Sequence, residues 1–434
     1  MELLTFKKGI YPPHNKYLTE DKEIIDMLPK EELVIPMLQH TGAPAVPVVQ
    51  KGDRVLKGQK IGEANGKISS NVHSPVSGTV ESTKQIYTSF GKKTLALVIE
   101  NDGKYEEVKY PEKRDYNSMA VDEIIEAIKE AGVVGLGGAV FPTYFKLMPP
   151  KGATIDTIIV NGAECEPYLT GDYRLMLEKT NELIEGLKIL LKIFPNAKGY
   201  IAVENNKEKA YKALKDAAKN EKGIEVCYLK TKYPQGSEKH LIYAITKREV
   251  PSGKLPLDVH CIVQNVGTVI SVYQAVVFGE PVISRVVTVS GDAVKEPKNL
   301  RVSFGTSFKD AIEECGGFKE EPVKILSGGP MMGISLSNLD YPVSKNVTGI
   351  VALTKKSTDL SDETSCIRCG RCIDACPMNL MPALLDNLSR LNRYDDFKEK
   401  GGMNCIECGC CSYVCPAKRH ITQSIKKGKL NSKK

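Results

Sequence analysis

The sequence predicts a multidomain chain of α/β plus β class, in which two β-rich modules flank an α/β unit and a cysteine-rich helical segment follows them. Three observations carry this expectation. The 434 residues, 41% of them hydrophobic, are enough for several cores and divide into about three or four domains of ordinary size. Along the chain the apolar pattern runs from short alternating stretches to helical spacing between apolar runs, and then back again. Nine of the thirteen cysteines fall between positions 366 and 415, the distribution of a metal site and not of a disulfide framework.

The first segment, residues 1–115, holds the runs VPVVQKGDRVLKGQKIGEA, SPVSGTVEST and KTLALVIEN between about positions 30 and 102. Gly, Pro and Asp punctuate them, which reads as a small all-β unit. The turns at residues 51–59 and 74–78 resemble those of the lipoyl/biotinyl carrier fold, a barrel-like β-sandwich. A carrier presents its lysine between methionines on a hairpin tip. Lys67 lies in Asn65-Gly66-Lys67-Ile68 without that context, so the module is expected to be structural.

Residues 116–285 change period. Val121, Ile124, Ile125 and Ile128 mark one face of a helix that stops before Gly132. TIDTIIV at 154–160 reads as a buried strand, and Thr180 as the cap of a helix striped by Leu183, Ile184, Leu187, Leu190 and Leu191. A strand at 199–204 and a helix at 207–219 follow, and such alternation predicts a Rossmann-like, mainly parallel sheet.

Residues 286–355 return to β character: RVVTVSG (which starts at 285), NLRVSFG, a short helix at 308–314, then VKILSGGPMMG. A hairpin, a helix and a returning strand make a β-grasp module. It resembles the soluble-ligand-binding β-grasp (SLBB) domain of flavoproteins, with scaffolding as its expected role and Ser327-Gly328-Gly329-Pro330 as the loop that would meet a ligand.

Residues 356–434 contain C-x2-C-x2-C-x3-C-P twice: Cys366, Cys369, Cys372, Cys376 with Pro377, and Cys405, Cys408, Cys411, Cys415 with Pro416. Thiolates at this spacing wrap three corners of an iron–sulfur cube while the fourth ligates the other cluster. Two [4Fe–4S] clusters follow, one on Cys366, Cys369, Cys372 and Cys415, the other on Cys405, Cys408, Cys411 and Cys376. A structural zinc site is the competing reading, but it uses two C-x-x-C pairs across a longer loop. Cys410 reads as a small packing residue beside the second cluster. Between the motifs, Leu384, Leu385, Leu388 and Leu391 form a helical stripe, which favours a helical ferredoxin-like domain.

Upstream, Gly135, Gly137 and Gly138 lie close together before Phe141 and Lys146. Glycines let the backbone approach a phosphate or a flat ring, and a lysine neutralises phosphate charge. The spacing is neither the dinucleotide G-x-G-x-x-G nor a P-loop, and a tight helix-to-strand turn is the alternative. The 154–160 strand leads into Asn161, Glu164 and Glu166, beyond its carboxyl end, where ligand sites of open α/β sheets lie.

The segments GLGGAVFPTYFK, NGAECEPYLTGDYR, YPQGSEKHLI and QNVGTVISV resemble, in order and spacing, the flavin and NADH motifs of the flavoprotein subunit of respiratory complex I. With KGIYPPHNK near the amino terminus and the doubled cysteine motif, nearly the whole chain resembles the C-subunit family of Rnf electron-transport complexes, the ion-translocating ferredoxin:NAD oxidoreductases. The resemblance implies non-covalent FMN around Gly135, Gly137, Gly138, Lys146, Asn161, Glu164, Tyr233, Gly236, Asn265 and Thr268. It places NAD(H) against Phe141, Glu166 and Glu238. Val140, Ala163, Ser237 and Gly267 depart from the complex I pattern, which has Gly, Asp, Glu and Glu there, and that subunit carries one carboxyl-terminal cluster instead of two.

By this resemblance the partners are the other subunits of a membrane complex, a ferredoxin-like iron–sulfur subunit among them, and the chain is a peripheral NADH-dependent oxidoreductase on the cytoplasmic face. No stretch has the eighteen apolar residues of a membrane helix, and the amino terminus lacks a signal-peptide core. Sixty basic residues face fifty-three acidic ones, and seven of the basic residues lie in 417–434, so the rest of the chain is balanced. That tail either meets an anionic membrane surface or acidic redox partner, or is a solvated end. Nucleic acid is not an expected partner, because the basic residues form no aromatic-interleaved patch. A soluble cobalamin-reductase-like or reductase-activating flavoprotein with the same cofactors is the alternative, and a scaffold with structural four-cysteine sites is a third reading.

Overall fold

The computed structural model describes residues 3–150 and 152–433. At its centre is a four-stranded parallel sheet in the order Ile224–Leu229, Lys198–Glu204, Thr157–Gly162, Cys261–Asn265. The TIIV run is buried throughout because both faces of its strand are covered. Ile158 and Val160 share a core with Leu183, Leu187, Leu190 and Val269, while Ile159 joins Leu241 and Ile242 on the opposite side. The helices Thr180–Ile193 and Val266–Phe278 thus shield one face and Glu238–Thr246 the other. Thr180 is not the cap that its position suggested. Its hydroxyl donates 2.7 Å back to the Met176 carbonyl, because the preceding helix Gly171–Glu178 runs almost directly into the next.

The β-sandwich consists of two small sheets, Glu32–Pro36, Lys93–Asn101, Gly78–Tyr87, Arg54–Val55 and Val46–Pro47, Lys60–Glu63, Val72–His73. Leu33, Ile35, Val55, Ile61, Val80, Leu97 and Ile99 fill the space between them, and Lys67 is exposed. The residues before the sandwich belong to its neighbours. Leu4 bridges Leu229, Ile10 bridges Tyr233, and Ile24–Asp26 pairs in parallel with Lys298–Ser303. So short a segment has no core of its own, and it is anchored through Lys16, whose buried ammonium donates to the carbonyls of Glu166 (2.9 Å) and Leu169.

Ile24–Asp26 edges a six-stranded mixed sheet in which Ser284–Ser290, Lys298–Ser303, Lys324–Ser327 and Gly349–Leu353 enclose the helix Phe308–Glu314, the β-grasp arrangement. The cysteine-rich segment is helical. Leu385, Leu388 and Phe397 pack with Ile421 and Ile425 of the helix Ile421–Asn431, so most of the basic tail is folded, and Lys429 donates 2.8 Å to the Cys405 carbonyl. Leu391 is 67% exposed, because it caps the helix Pro382–Arg390 instead of extending its stripe. No helix among the described residues is long and apolar enough to cross a membrane.

Candidate functional site

The loop between the helices Val121–Glu130 and Thr143–Lys146 carries the clustered glycines. Two struts hold it: the Leu136 N–H donates 2.8 Å to the Thr268 hydroxyl, and the buried Arg285 guanidinium donates 2.9 Å to the Leu136 carbonyl. Val140 closes the loop with its N–H on the Gly135 carbonyl at 3.0 Å, and its φ is 44°. A β-branched residue in the left-handed region costs on the order of 1–3 kcal/mol, and Val140 stands where the complex I pattern has glycine. Gly138, at φ 106°, meets the same demand without strain. Among the described residues the N–H groups of Gly137, Gly138 and Ala139 have no acceptor, and all three residues are exposed. Successive free N–H groups of this kind form an anion-binding nest.

Beyond the strand ends, Asn161 donates 2.8 Å to the Gly236 carbonyl and accepts from the Ala163 N–H at 3.1 Å. Gly236 lies so close that a Cβ there would be 2.3 Å from the Ala163 oxygen. Lys146 meets Glu238 at 3.1 Å and the Val263 carbonyl at 3.2 Å. Asn265 borders Gly137, where an added Cβ would sit 3.3 Å from the asparagine Cβ. Phe141 is half-buried, edge-on to Phe145. Asn161 with Gly236, Asn265 with Gly137, and Lys146 with Glu238 and the Val263 carbonyl thus pair at or near the carboxyl ends of Thr157–Gly162 and Cys261–Asn265.

Four expected residues have partners within the protein. Thr268, fully buried, is a strut under the glycine loop. Glu164 accepts from the Asp172 and Tyr173 N–H groups and so caps the helix Gly171–Glu178. Glu166, expected against the nicotinamide, has its carboxylate on the N–H groups of Met331 (3.1 Å) and Met332 (2.9 Å), in the β-grasp loop expected to meet a ligand. Burial lifts its pKa to about 7 despite those donors. Tyr233 is 1% exposed and its hydroxyl donates 2.7 Å to the Cys408 carbonyl.

Three residues escaped the sequence reading. Asp172 accepts from the Asn265 carboxamide at 2.7 Å, and burial, then the nearby Glu164 charge, raises its pKa to about 7. Arg285 lies within reach of Asp172, and burial lowers its pKa to about 10. Lys207 forms a fully buried 3.0 Å ion pair with Glu204 and donates to the Glu164 carbonyl. Asp172 sits within the GDYR stretch, where its acidic character was the available signal; the other two are apparent only from packing.

The cysteines form two groups that cross the motifs. Cys372 lies within electrostatic reach of Cys366 and Cys415, and Cys369 is exposed on the same loop as Cys366. Cys376 of the first motif shares a cavity with Cys405, Cys408 and Cys411 of the second, lined also by Leu380, Pro382 and Ile425. Among the described residues no three ligand-type side chains stand at the spacing of a single metal ion. Cys410 is fully buried in an apolar cluster with Cys408, Tyr233 and Ala375, and Cys165 packs against that cluster. The second group is thus walled by the loop that follows the Thr157–Gly162 strand.

The residues fit a flavin and its phosphate: free loop N–H groups, a lysine, and buried carboxamides left unpaired at Gln235 and, through Nε2, at Gln264, next to Gly236 and Asn265. Each such orphan costs about 1–3 kcal/mol unless a ligand meets it.

Four family models match successive parts of the chain. The RnfC barrel sandwich hybrid domain matches residues 4–104, the Nuo51 FMN-binding domain 128–274, the SLBB domain 286–335 and the 4Fe-4S dicluster domain 358–416. The C subunit of a proton-translocating ferredoxin:NAD(+) oxidoreductase complex from Clostridium ljungdahlii is 50% identical over 427 residues, 98% of this chain and 93% of that one. Its counterpart in a Na(+)-translocating complex from Acetobacterium woodii is 44% identical over 98% of this chain and 96% of its own. The C subunit of an ion-translocating oxidoreductase complex from Rhodobacter capsulatus is 39% identical over all of this chain and 84% of its own. The chain belongs to the C-subunit family of ion-translocating ferredoxin:NAD(+) oxidoreductase complexes.

Proposed function

We propose that this chain passes electrons between NAD(H) and the other subunits of such a complex, through FMN and two [4Fe–4S] clusters, and that it sits peripherally at the cytoplasmic face of the membrane. The observation that carries the reading is the shared wall between the flavin-binding unit and the second cysteine group, where Tyr233 bonds Cys408 and Cys165 packs against the apolar cluster that contains Cys408 and Cys410. When bound, FMN supplies the conversion between the two electrons of a hydride and the single electrons a cluster accepts. Gly137, Gly138, Ala139 and Lys146 hold and neutralise its phosphate-bearing part, and Asn161, Gly236 and Asn265 shape the pocket for its ring. Phe141 and Glu238 border the nicotinamide. Glu166 braces the β-grasp loop against this wall.

Cys376, Cys405, Cys408 and Cys411 hold the inner cluster, next to the flavin, and Cys366, Cys369, Cys372 and Cys415 the outer one, whose exposed Cys366 and Cys369 face the partner. The partner is a ferredoxin-like iron–sulfur subunit of the complex. Full-length relatives that are complex subunits favour this over a free-standing cobalamin-reductase-like flavoprotein. The test is anaerobic titration of the FMN- and iron–sulfide-loaded protein with NADH. Flavin bleaching followed by cluster reduction is expected; absence of both overturns the reading.

A further inference from the structure

The glycine loop is gripped from another module. Thr41, in the turn that follows Glu32–Pro36 of the β-sandwich, donates from its hydroxyl to the Ala139 carbonyl at 2.8 Å and from its N–H to the Val140 carbonyl at 2.9 Å. Its own turn is braced: Ala43 N–H donates 3.0 Å to the Ile68 carbonyl, and the ring of His40 lies 2.8 Å from the Ala43 carbonyl and 3.1 Å from the Ser69 hydroxyl. One rigid residue therefore holds two successive carbonyls, and these belong to the peptide planes on either side of Val140, the β-branched residue at φ 44°.

Unaided, Val140 would relax to negative φ, because its branched side chain crowds the backbone in the left-handed region. Relaxation would turn the Ala139–Val140 peptide, break the Val140 N–H bond to Gly135, and disperse the free N–H groups of Gly137, Gly138 and Ala139. We propose that Thr41 is a positioning residue for the flavin site: the β-sandwich serves as a clamp that keeps Val140 left-handed and so preorganises the N–H nest for the phosphate-bearing ligand. This rests on the FMN reading above. It gives the amino-terminal module a role in the redox site instead of one in folding alone.

The clamp predicts a pattern of rescue. Thr41→Val keeps the branched shape and removes the hydroxyl donor; it is expected to weaken FMN binding to the flavin-free holo-cluster protein roughly five- to tenfold, the equivalent of one hydrogen bond. Thr41→Ser keeps the donor and should bind as the parent does. Val140→Gly removes the need for the clamp, since glycine adopts positive φ freely, so Thr41→Val/Val140→Gly should return to within about twofold of the parent. Binding is read by quenching of FMN fluorescence. Amide exchange, which needs no flavin, should quicken at the hydrogen-bonded N–H groups of Gly135 and Val140 in Thr41→Val while the sandwich core around Val80 and Leu97 stays protected. Unchanged binding and exchange in Thr41→Val, an equal loss in Thr41→Ser, or failure of Val140→Gly to rescue each overturns the clamp. A parent protein that binds no FMN overturns the flavin reading instead, and the exchange experiment still decides the clamp.

Discussion

The Tyr233 hydroxyl and the Cys408 carbonyl, 2.7 Å apart and buried, hydrogen-bond the flavin-binding unit to the inner cluster motif. Tyr233→Phe keeps the ring and leaves that carbonyl unpaired, at a cost of about 1–3 kcal/mol to the contact between the two units. NADH should still bleach the flavin at the parental rate, while reduction of the clusters slows severalfold. Stopped-flow absorbance resolves the two phases, and equal slowing of both would place the tyrosine's role in NADH or flavin binding.

The crossed grouping of cysteines separates the clusters genetically. Cys366→Ser should cut bound iron from about eight to about four per chain while the flavin and the inner cluster persist. Cys408→Ser should remove the inner cluster and isolate the flavin from any acceptor. Cys410→Ala, buried beside Cys408 but outside both sets, should keep all the iron. Iron analysis with low-temperature electron paramagnetic resonance checks each; iron loss in Cys410→Ala would make it a ligand.

Asp172 gives the fold an unusual pH response. Burial raises its native pKa to about 7, against an ordinary value of 3.8. The native state therefore binds more protons than the unfolded chain between these values, and this group's contribution to stability falls as pH rises from about 4 to 7. Asp172→Asn still accepts from Asn265 and should flatten that part of the profile. Thermal unfolding of the anaerobic protein across this range is the measurement, and an unchanged slope would assign the response to another group.

Lys207 and Glu204 form the most buried ion pair of the central unit, with side chains 2% and 1% exposed. Lys207→Met strands the carboxylate and should cost about 3–5 kcal/mol. Adding Glu204→Gln should recover a good part of it, because no charge is then left unpaired. Denaturant unfolding of the two variants checks this; additive losses would exclude the pairing.

Much of this architecture was legible because it rests on local rules. Period-two stretches gave the sandwich, continuous apolar runs gave a sheet buried on both faces, and the cysteine spacing gave two clusters, since a cube's geometry is imposed within eleven residues. Motif resemblance singled out Gly135, Gly137, Gly138, Lys146, Asn161 and Asn265, which the fold places on the glycine loop, on the short helix after it and at the ends of two central strands. Thr180 and Leu391 misled at helix ends, where a neighbouring helix or cap, and not the stripe, decides. Glu164 and Glu166 look like pocket carboxylates in a linear reading, yet each is taken by backbone N–H groups, one set within its own unit and one from a loop more than 160 residues away.

By itself, then, the sequence determined the family, the four kinds of module and the two cysteine motifs, because each depends on residues near one another in the chain. Only the tertiary structure decided that the basic tail folds against the ferredoxin-like helices, that Asp172 takes the Asn265 carboxamide, that Arg285 holds the glycine loop, and that Thr41 grips Val140. Those contacts join residues tens to hundreds of positions apart. Such partners are set by which surfaces must be buried together and which buried polar groups must be satisfied, and neither leaves a period or a motif in the chain.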